Sequence, residues 1–523
     1  MRLPPGVTSA DFSAAIKEFE AVAGKDWVFT SDEDVDLYRD SYSPVWHEAE
    51  EPIPSAAVAP EGVEQVQAIV RIANKYKIPL WTVSTGKNLG YGGSAPLLGG
   101  SVVVDLKRMN RVLEINDKNH FALVEPGVSY FDLYRYIQEH KLKVWIDPPD
   151  PGWGSPVGNC LERGGGYTPM HDHFDAVCGM EVVLPSGEVM RTGMGALPAS
   201  QTWQQYKYGF GPYVTPIFSQ SSLGIVTKMG IWLLPEPEAY LSGTVMVWKR
   251  RDLIPLVEIF TNLVSSGTMR GTTQVISPLW FGPPDPELDP IRASGNVEAL
   301  ESYAARKKTP YWILPLPFYG PAKIVAAQWE YAKQKFASIP GATFADGPSY
   351  RFPLSADDLS KIRDTVPLGI PSMQIFGLLP PQSQGHIGFS PIIPMSGEAL
   401  LDALTLFDGI HRELGAGGGL FPVLSSFPRS FVIIYLFPVE RDVEKNRRTR
   451  AIYRRLIKEA AARGWGEYRT HTTFMGDISD TYSFNNHALR RFHEAVKDAV
   501  DPNGILSPGK CGIWPKRMRK ASA

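Results

Sequence analysis

Residues 84–93 of the chain read Ser-Thr-Gly-Lys-Asn-Leu-Gly-Tyr-Gly-Gly, and they follow the apolar run Ile-Pro-Leu-Trp-Thr-Val at residues 78–83. A short apolar run of this kind predicts a buried strand, so the glycines stand at its carboxyl end. Glycines let backbone N–H groups approach an anion closely, and the hydroxyls and the lysine add further donors. The stretch therefore predicts a loop that cradles a phosphate or pyrophosphate group.

The spacing of this glycine-rich loop (residues 84–93) excludes two common nucleotide-binding motifs. It lacks the Gly-Lys-Ser/Thr ending of a Walker loop, and no Gly-x-Gly-x-x-Gly opens a helix here. The chain continues through Gly99 and Gly100 into a second apolar run at residues 101–106. The loop therefore joins strand to strand, which argues against a Rossmann crossover.

The composition is that of an ordinary globular chain of 523 residues, long enough for two or three domains. A net charge of −2 gives no indication of nucleic acid or an anionic membrane as a partner. Three cysteines are too few for a disulfide framework or a zinc site, and they fit a reducing compartment. Because there is no signal core at the N-terminus and no apolar run of the roughly 18 residues that span a bilayer, we expect a cytoplasmic protein.

Helical and strand patterns alternate along the chain and predict an α+β fold. Helices are predicted at residues 62–76, 130–140 (with Ser129 as N-cap), 254–264, 321–337 and 486–499. A hairpin is predicted for residues 180–184 and 188–191, and another strand at 224–232. From about residue 240 the pattern changes to helices, apolar strands and proline-rich loops, which indicates a second domain.

Further motifs occur in a fixed order along the chain. They are residues 125–128 (Glu-Pro-Gly-Val), 149–155 (Pro-Asp-Pro-Gly-Trp-Gly-Ser), 163–169 (Arg-Gly-Gly-Gly-Tyr-Thr-Pro), 222–228 (Ser-Leu-Gly-Ile-Val-Thr-Lys), 385–391 (Gly-His-Ile-Gly-Phe-Ser-Pro), 467–471 (Glu-Tyr-Arg-Thr-His) and 502–510 (Pro-Asn-Gly-Ile-Leu-Ser-Pro-Gly-Lys). Together with the glycine-rich loop they resemble the 4-phenol-oxidising flavoproteins, the family of vanillyl-alcohol oxidase, eugenol oxidase and p-cresol methylhydroxylase. The resemblance covers nearly the whole chain and is looser in its centre.

The resemblance implies a two-subdomain FAD-binding domain of the p-cresol methylhydroxylase type at residues 1–238. It implies a substrate-binding cap at 239–469, with a large antiparallel sheet flanked by helices, and a C-terminal segment at 470–523 that returns to the FAD-binding domain. Family members form dimers, so we expect a homodimer or a larger assembly. The FAD contacts carried over from the family are Ser84, Gly86, Lys87, Asn88, Gly90, Ser155, Gly158, Asn159, Gly165, Gly224, Ile225 and Lys510.

His386 stands where the oxidases of the family attach the flavin covalently, so the resemblance implies a histidyl bond to FAD. In the methylhydroxylase branch a tyrosine several residues earlier makes that bond, whereas residues 376–379 here read Phe-Gly-Leu-Leu. The family uses a second histidine near the N-terminus to help form the link, and His47 is a candidate by position.

Four residues match the catalytic positions of the family. Tyr91, Tyr468 and Arg469 resemble a phenolate clamp, in which two phenol donors and a permanent cation stabilise the substrate oxyanion and lower its pKa. Asp150 resembles the carboxylate near flavin N5, which offsets the positive character of a p-quinone methide and acts as base for an attacking water.

The resemblance places a further set in the substrate pocket: Tyr167, Gly388, Ser390, Val423, Ser425 and Glu467. The chain departs from the family pattern in two places. Met170 and His171 replace a Tyr-Gly pair, and residues 420–430 are rich in proline and serine. His171 and His173 form a His-x-His pair, but no third ligand supports a metal site, so no metal is expected.

These motifs imply an FAD-dependent oxidase of para-substituted phenols such as vanillyl alcohol, eugenol and 4-alkylphenols. Hydride would leave the para carbon for FAD N5 through a p-quinone methide, and oxygen would be reduced to hydrogen peroxide. The alternative is a 4-alkylphenol dehydrogenase or hydroxylase that passes electrons to a cytochrome or another acceptor. A flavoprotein without redox turnover and a hydroxy-acid or sugar oxidase are two other hypotheses, and neither calls for a two-tyrosine clamp.

Overall fold

The structure is a computed structural model that describes residues 3–280, 284–378, 384–414, 422–427 and 429–519. Of the stretches named above, Leu379, Leu420, Phe421 and Pro428 lie outside the described residues. Within these ranges, no helix is both long enough and apolar enough to cross a bilayer.

The helices and strands alternate over the whole described chain. The helices are α1 (Ser9–Ala23), α2 (Asp32–Asp36), α3 (Val63–Tyr76), α4 (Tyr130–Glu139), α5 (Pro156–Leu161), α6 (Leu253–Ser265), α7 (Leu288–Ser294), α8 (Val297–Lys307), α9 (Ala322–Phe336), α10 (Ala356–Lys361), α11 (Gly397–Glu413), α12 (Val443–Ala462), α13 (Met475–Thr481) and α14 (Phe484–Val500). The strands are β1 (Val28–Phe29), β2 (Ala56–Val58), β3 (Leu80–Val83), β4 (Val102–Asp105), β5 (Val112–Asn116), β6 (Phe121–Val124), β7 (Val144–Trp145), β8 (Val177–Val183), β9 (Val189–Arg191), β10 (Ile225–Trp232), β11 (Leu234–Pro235), β12 (Ala239–Val247), β13 (Gln274–Val275), β14 (Trp312–Gly320), β15 (Thr343–Arg351), β16 (Gly385–Phe389), β17 (Ile392–Pro394), β18 (Pro422–Phe427) and β19 (Ser430–Val439).

The first sheet has the strand order β1-β2-β4-β3 and is covered by α1 and α3. β3 and β4 are parallel, so the chain between them crosses from one end of the sheet to the other without forming a helix. This agrees with the prediction that the glycine-rich loop joins two strands. The C-terminal segment extends the sheet edge, because Leu80 exchanges backbone hydrogen bonds of 2.7 Å with Ile505 and Ser507.

The second sheet is antiparallel, with the order β5-β6-β10-β8-β9. It carries the predicted hairpin, since β8 pairs with β9 from Glu181–Arg191 to Val183–Val189. The predicted helix at 130–140 is α4, and Ser129 caps it through a reciprocal hydrogen-bonded pair with Asp132. The hairpin and the capped helix follow the sequence prediction closely, because each depends on signals from neighbouring residues in the sequence.

The region predicted to form the cap is built on antiparallel strands. β14-β12-β15 form one sheet, and β13-β18-β19-β16, with β17 beside β19, form another. Ile276 and Ile313 exchange backbone hydrogen bonds of 3.1 and 2.8 Å and so join the two sheets. Helices α6, α9, α11 and α12 pack against this surface around one large apolar core. The fold is therefore the α+β architecture that the sequence predicts.

Candidate functional site

A cavity of about 340 Å³ opens where the glycine-rich loop, α5 and the start of β10 meet β18 and residues 468–475. The predicted site residues that line it are Ser84, Gly86, Lys87, Asn88, Tyr91, Asp150, Ser155, Gly158, Asn159, Gly165, Tyr167, Gly224, Ile225, Ser425, Tyr468, Arg469 and Lys510. The predicted residues that do not line it are Gly90, His386, Gly388, Ser390, Val423 and Glu467.

The glycine-rich loop turns tightly at the carboxyl end of β3. The N–H groups of Tyr91 and Gly93 both donate to the Asn88 carbonyl, at 3.1 and 3.0 Å. Gly86 and Gly90 have φ angles of 67° and 80°, in the left-handed region that favours glycine. The glycines are thus required by the backbone path that brings Tyr91 and Asn88 to the cavity.

The start of α5 packs directly against this loop. A Cβ atom at Gly158 would overlap the Ser84 hydroxyl, so only glycine allows this approach. The Ser155 hydroxyl donates to the Pro126 carbonyl at 2.6 Å and accepts from the Gly158 N–H at 3.3 Å. Its side chain is therefore already engaged in holding this wall together.

Asp147, a fully buried carboxylate, fixes the turn that carries two cavity residues. It accepts hydrogen bonds from the backbone N–H groups of Tyr167 and Thr168, both at 2.9 Å, and of His171 at 2.7 Å. Burial alone would raise the pKa of Asp147, but His173 and these N–H groups lower it below its ordinary value. The ionised carboxylate thereby holds Tyr167 and His171 at the cavity wall.

The clamp residues lie together at one end of the cavity. The Arg469 guanidinium stacks on Tyr91, with Cζ 3.9 Å from the ring centroid, and donates to Asn88 Oδ1. Arg469 Nε is buried and has no hydrogen-bond partner within the described residues. Burial raises the pKa of Tyr468 well above its ordinary value, so its hydroxyl stays protonated at neutral pH and remains a donor. This end of the cavity offers a cation and phenolic hydroxyls to an anionic oxygen.

Asp150 and Tyr167 lie at another part of the wall and are hydrogen-bonded to each other. Burial, followed by the negative charge of Asp364, raises the pKa of Asp150 to about 6. The turn at Asp150 is anchored on the cap, because the Gly152 N–H donates to the Ser372 carbonyl at 2.8 Å. A carboxylate with this pKa is ionised at neutral pH but is readily protonated, as a general base must be.

His386 lies behind the glycine-rich loop rather than in the cavity wall. A Cβ atom at Gly90 would lie 3.5 Å from the His386 imidazole, and the Tyr42 ring packs against it at a centroid distance of 5.4 Å. Burial lowers the pKa of His386 to about 4, so the imidazole is neutral, and its Nδ1 has no partner in the part of the chain that the structure describes. His47 instead packs edge-to-face against Trp46, with ring centroids 5.1 Å apart, and the described contacts do not bring it to His386.

Glu467 is fully buried behind the clamp. Its Oε1 accepts from the Ser390 N–H at 3.0 Å and lies 2.6 Å from the Tyr453 hydroxyl, which is also 2.7 Å from the Gly388 carbonyl. Tyr453 has one proton for two acceptors, so a protonated Glu467 satisfies both contacts. Burial raises the pKa of Glu467 to about 8, in agreement with a neutral carboxylic acid.

The remaining pocket candidates differ in how closely they approach the clamp. A Cβ atom at Gly388 would lie 3.8 Å from Tyr91 Oη and 3.7 Å from Ser390 Oγ, so Gly388 lies beside the clamp. Val423 does not line the cavity, but Ile434, its partner on the neighbouring strand, does. Lys510, predicted as an FAD contact, is paired with Glu162, and both line the cavity.

The His-x-His pair does not converge on one point. His171 Nδ1 contacts Thr272, whereas His173 Nδ1 contacts Asn159 and its Nε2 lies 3.4 Å from Asp147. Among the described residues, no group of three His, Cys, Asp or Glu side chains has an arrangement that could hold a metal ion.

Several site residues escaped the sequence analysis. Asp364 acts on Asp150 from a segment without a motif, and Gln274 hydrogen-bonds Tyr167 from a strand of two residues. Glu162 was detectable in principle, because it directly precedes the Arg-Gly-Gly-Gly motif. Phe427 lines the cavity within the stretch that was noted only as a departure from the family.

The residues present fit FAD. The cavity wall is formed by backbone of the glycine-rich loop, of residues 154–159 and of residues 220–226, where small and hydroxyl residues leave space for a ligand. Arg469 and Tyr468 line the cavity where an anionic substrate would bind. His386 Nδ1 is buried without a partner in the described chain, next to Gly90 of the glycine-rich loop, so a neutral imidazole lies directly behind this wall.

Comparison with known proteins agrees with this geometry. Two family models match: the FAD binding domain at residues 54–193 and the C-terminal domain of FAD linked oxidases at residues 428–511. The flavoprotein subunit of 4-cresol dehydrogenase (hydroxylating) from Pseudomonas putida is 33% identical over 98% of this chain and 97% of its own length.

Two solved structures are similar over nearly the whole chain. 4-Ethylphenol oxidase from Gulosibacter chungangensis, in complex with isoeugenol, has a TM-score of 0.87 and 36% identity, and covers 99% of this chain and 100% of the other. p-Cresol methylhydroxylase with substrate bound has a TM-score of 0.87 and 32% identity, and covers 98% of this chain and 99% of the other. One of these two relatives is named an oxidase and the other a hydroxylase.

Proposed function

Because the chain belongs to the FAD-linked, 4-phenol-oxidising flavoproteins, we propose that it is an oxidase of para-substituted phenols that uses oxygen as its electron acceptor. The observation that supports this most is that one cavity is lined both by Tyr91, Tyr468 and Arg469 and by Asp150. A phenol needs an oxyanion site at one end and a carboxylate at its para carbon, and the cavity contains residues for both.

The clamp residues prepare the substrate for oxidation. Arg469 supplies a fixed positive charge, and Tyr468, whose pKa burial raises, supplies a hydroxyl that keeps its proton. Both stabilise a phenolate more than a phenol, so the bound phenol loses its proton more easily than in water. The resulting electron density at the para position favours departure of hydride from the para side chain.

Bound FAD would supply the hydride acceptor and the redox chemistry. Asp150 acts on the substrate side: its carboxylate offsets the positive charge that develops on the para carbon, and it can take a proton from a water that attacks there. Tyr167, hydrogen-bonded to Asp150, orients the carboxylate. The expected products are aldehydes from 4-hydroxybenzyl alcohols, or hydroxylated products from 4-alkyl- and 4-allylphenols.

The second candidate is a dehydrogenase that passes electrons to a cytochrome. The 33% identity to a 4-cresol dehydrogenase subunit favours it. His386 in the oxidase register, and Phe376-Gly377-Leu378 where the methylhydroxylase branch carries a tyrosine, favour the oxidase.

The deciding measurement is peroxide formation by the purified, FAD-loaded protein in air with vanillyl alcohol, eugenol and 4-ethylphenol. Peroxide with any of them supports the oxidase. Absorbance of the flavin under anaerobic conditions separates the other outcomes: bleaching without peroxide in air indicates a dehydrogenase, and an unchanged spectrum contradicts phenol oxidation.

Covalent attachment through His386 is part of the proposal, and acid precipitation tests it. The wild-type pellet should stay yellow, whereas His386→Ala should release its flavin into the supernatant, because the neutral imidazole that forms the bond is gone. His140→Ala, which changes an exposed histidine away from the cavity, serves as the matched control and should keep a yellow pellet. A yellow His386→Ala pellet would place the bond elsewhere.

A further inference from the structure

His171, the departure from the family pattern, lines the cavity as a buried side chain. Its backbone is fixed by the hydrogen bond from its N–H to Asp147 at 2.7 Å. Its ring is fixed by contacts with Thr272 at Nδ1 and with Phe427, whose centroid lies 4.6 Å away. A side chain held at three points presents its remaining atom, Nε2, in one direction.

The hydrogen bonds around Thr272 determine which ring nitrogen of His171 carries the proton. The Thr272 hydroxyl donates its single proton to the Gly166 carbonyl at 2.6 Å. Towards His171 the hydroxyl oxygen can then only accept, so the proton of the neutral imidazole belongs on Nδ1. Burial lowers the pKa of His171, which keeps the ring neutral. Nε2 is therefore an unprotonated hydrogen-bond acceptor.

Nε2 is available to a ligand. The hydrogen bonds of the ring within the described residues go to Thr272 at Nδ1 and to the Gly166 backbone, and Nε2 is not closed off as a buried atom without a partner. An acceptor in a buried cavity favours a ligand that brings a donor, because an unmatched polar atom loses its interaction with water.

The position of His171 indicates which part of a substrate it would contact. Phe427 contacts both His171 and the clamp residue Tyr468, since its ring centroid is 4.6 Å from that of His171 and 6.1 Å from that of Tyr468. Thr272, the partner of His171 Nδ1, is two residues along the chain from Gln274, which hydrogen-bonds Tyr167 beside Asp150. His171 thus lines the same cavity as the clamp and Asp150, one aromatic ring away from Tyr468, where the edge of a bound phenol ring can reach it.

We propose that His171 Nε2 selects para-substituted phenols that carry a second hydrogen-bond donor on the ring edge, that is, 4-substituted catechols. The inference rests on the proposed function for the orientation of the phenol in the cavity. An ortho-methoxy group offers no donor and leaves Nε2 unmatched, whereas an ortho-hydroxyl group satisfies it.

Equilibrium binding tests this selection separately from catalysis. Calorimetry on the FAD-loaded protein compares two aldehydes that carry no hydride-donating para alcohol or alkyl group, 4-hydroxybenzaldehyde and 3,4-dihydroxybenzaldehyde. The wild type should bind the dihydroxy compound more tightly, and His171→Phe should reduce the ratio of the two Kd values by about three- to tenfold, the range of one hydrogen bond. The Kd for 4-hydroxybenzaldehyde should change less than about twofold. This ligand has no second hydroxyl, so it makes no hydrogen bond to residue 171 in the wild type or in the variant.

Thr272→Val provides a second variant that keeps the imidazole. It removes the acceptor that holds the proton on Nδ1, so the preference for the dihydroxy compound should weaken while the cavity keeps its shape. Equal Kd ratios in the wild type and both variants would overturn the role of His171. Anaerobic flavin reduction by 4-ethylphenol, which has no second donor, tests the proposed function independently, because it should proceed in all three proteins.

Discussion

The clamp and the part of the cavity wall that carries Asp150 differ in charge. At the clamp, the Arg469 guanidinium is stacked on Tyr91 and donates to Asn88, so the local charge is positive. At Asp150, burial and then the nearby acid Asp364 raise the pKa to about 6. The clamp attracts an anion, whereas Asp150 can accept or release a proton. A substrate that contacts both is polarised between them.

The largest expected effect is the loss of the cation at the clamp. Arg469→Ala should reduce the anaerobic rate of flavin reduction by 4-ethylphenol about 10²- to 10³-fold, as removal of one preorganised oxyanion donor does in other enzymes. Stopped-flow absorbance measures this rate. Arg469→Lys keeps the charge but loses the planar fork, so it should recover only part of the rate. A fully active alanine variant would mean that the phenolate is stabilised elsewhere.

Loss of the Asp150 carboxylate should lower the rate of flavin reduction less than loss of Arg469 does, and it should change how that rate depends on pH. Asp150→Asn should slow flavin reduction at pH 7.5 by at least about tenfold, or roughly 1.4 kcal/mol of barrier. Because the pKa of Asp150 is raised to about 6, the wild type should lose rate as pH falls below about 6, where the carboxylate becomes protonated. This limb of the profile should be absent in Asp150→Asn.

Asp364→Asn is the control for this prediction. It removes the negative charge that helps raise the pKa of Asp150, so the acidic limb should move to lower pH while the rate at pH 7.5 is retained. An unmoved limb would show that another group titrates there.

Glu467 extends the comparison to stability. Its pKa is raised to about 8 in the folded protein, above that of an unfolded glutamate, so the folded state holds a proton that the unfolded state gives up. This contribution is fully present below about pH 4.5 and decreases by up to about 1.4 kcal/mol per pH unit until about pH 8. Glu467→Gln lacks this loss, so the difference in Tm between variant and wild type should grow in favour of the variant from pH 5 to pH 8. Parallel curves would contradict a protonated Glu467.

The smallest expected effect concerns space at the clamp. The methyl group of Gly388→Ala would lie 3.8 Å from Tyr91 Oη, an ordinary contact that leaves the fold intact. Because Gly388 does not itself line the cavity, the methyl group acts on the substrate through the position of Tyr91. We expect kcat/KM for vanillyl alcohol, which has an ortho-methoxy group, to fall about threefold relative to 4-hydroxybenzyl alcohol, within the range of one steric methyl contact. An unchanged ratio would indicate that the methoxy group points elsewhere.

Much of the fold could be predicted from signals between neighbouring residues in the sequence. The turn at 185–187 and the Ser129 cap each depend on a few neighbouring residues, and both occur where the sequence predicts them. The motif residues around the cavity were found because each lies in a short segment with a recognisable pattern. Asp364 and Gln274 were missed because their importance comes from the tertiary contacts with Asp150 and Tyr167, which no local pattern encodes.

Some of the predicted site residues contact side chains that the sequence did not indicate. Lys510 was predicted as an FAD contact, and its ammonium group is paired with Glu162, more than 300 residues earlier in the chain. His47 was chosen for its position near the N-terminus, yet Tyr42 is the residue that contacts His386. The boundaries at residues 238 and 469 remain predictions, and Phe474, beyond the second, packs in the core of the cap.

The backbone hydrogen bonds between Leu80 and residues 505–507 have a consequence for the order in which the protein is made. The strand that leads into the glycine-rich loop is paired on that edge by residues synthesised more than 400 positions later. Domains generally fold from the N-terminus during translation, but this edge cannot be closed until the C-terminal segment has left the ribosome. A nascent chain that stops before residue 505 therefore leaves the strand that leads into the glycine-rich loop unpaired on this edge.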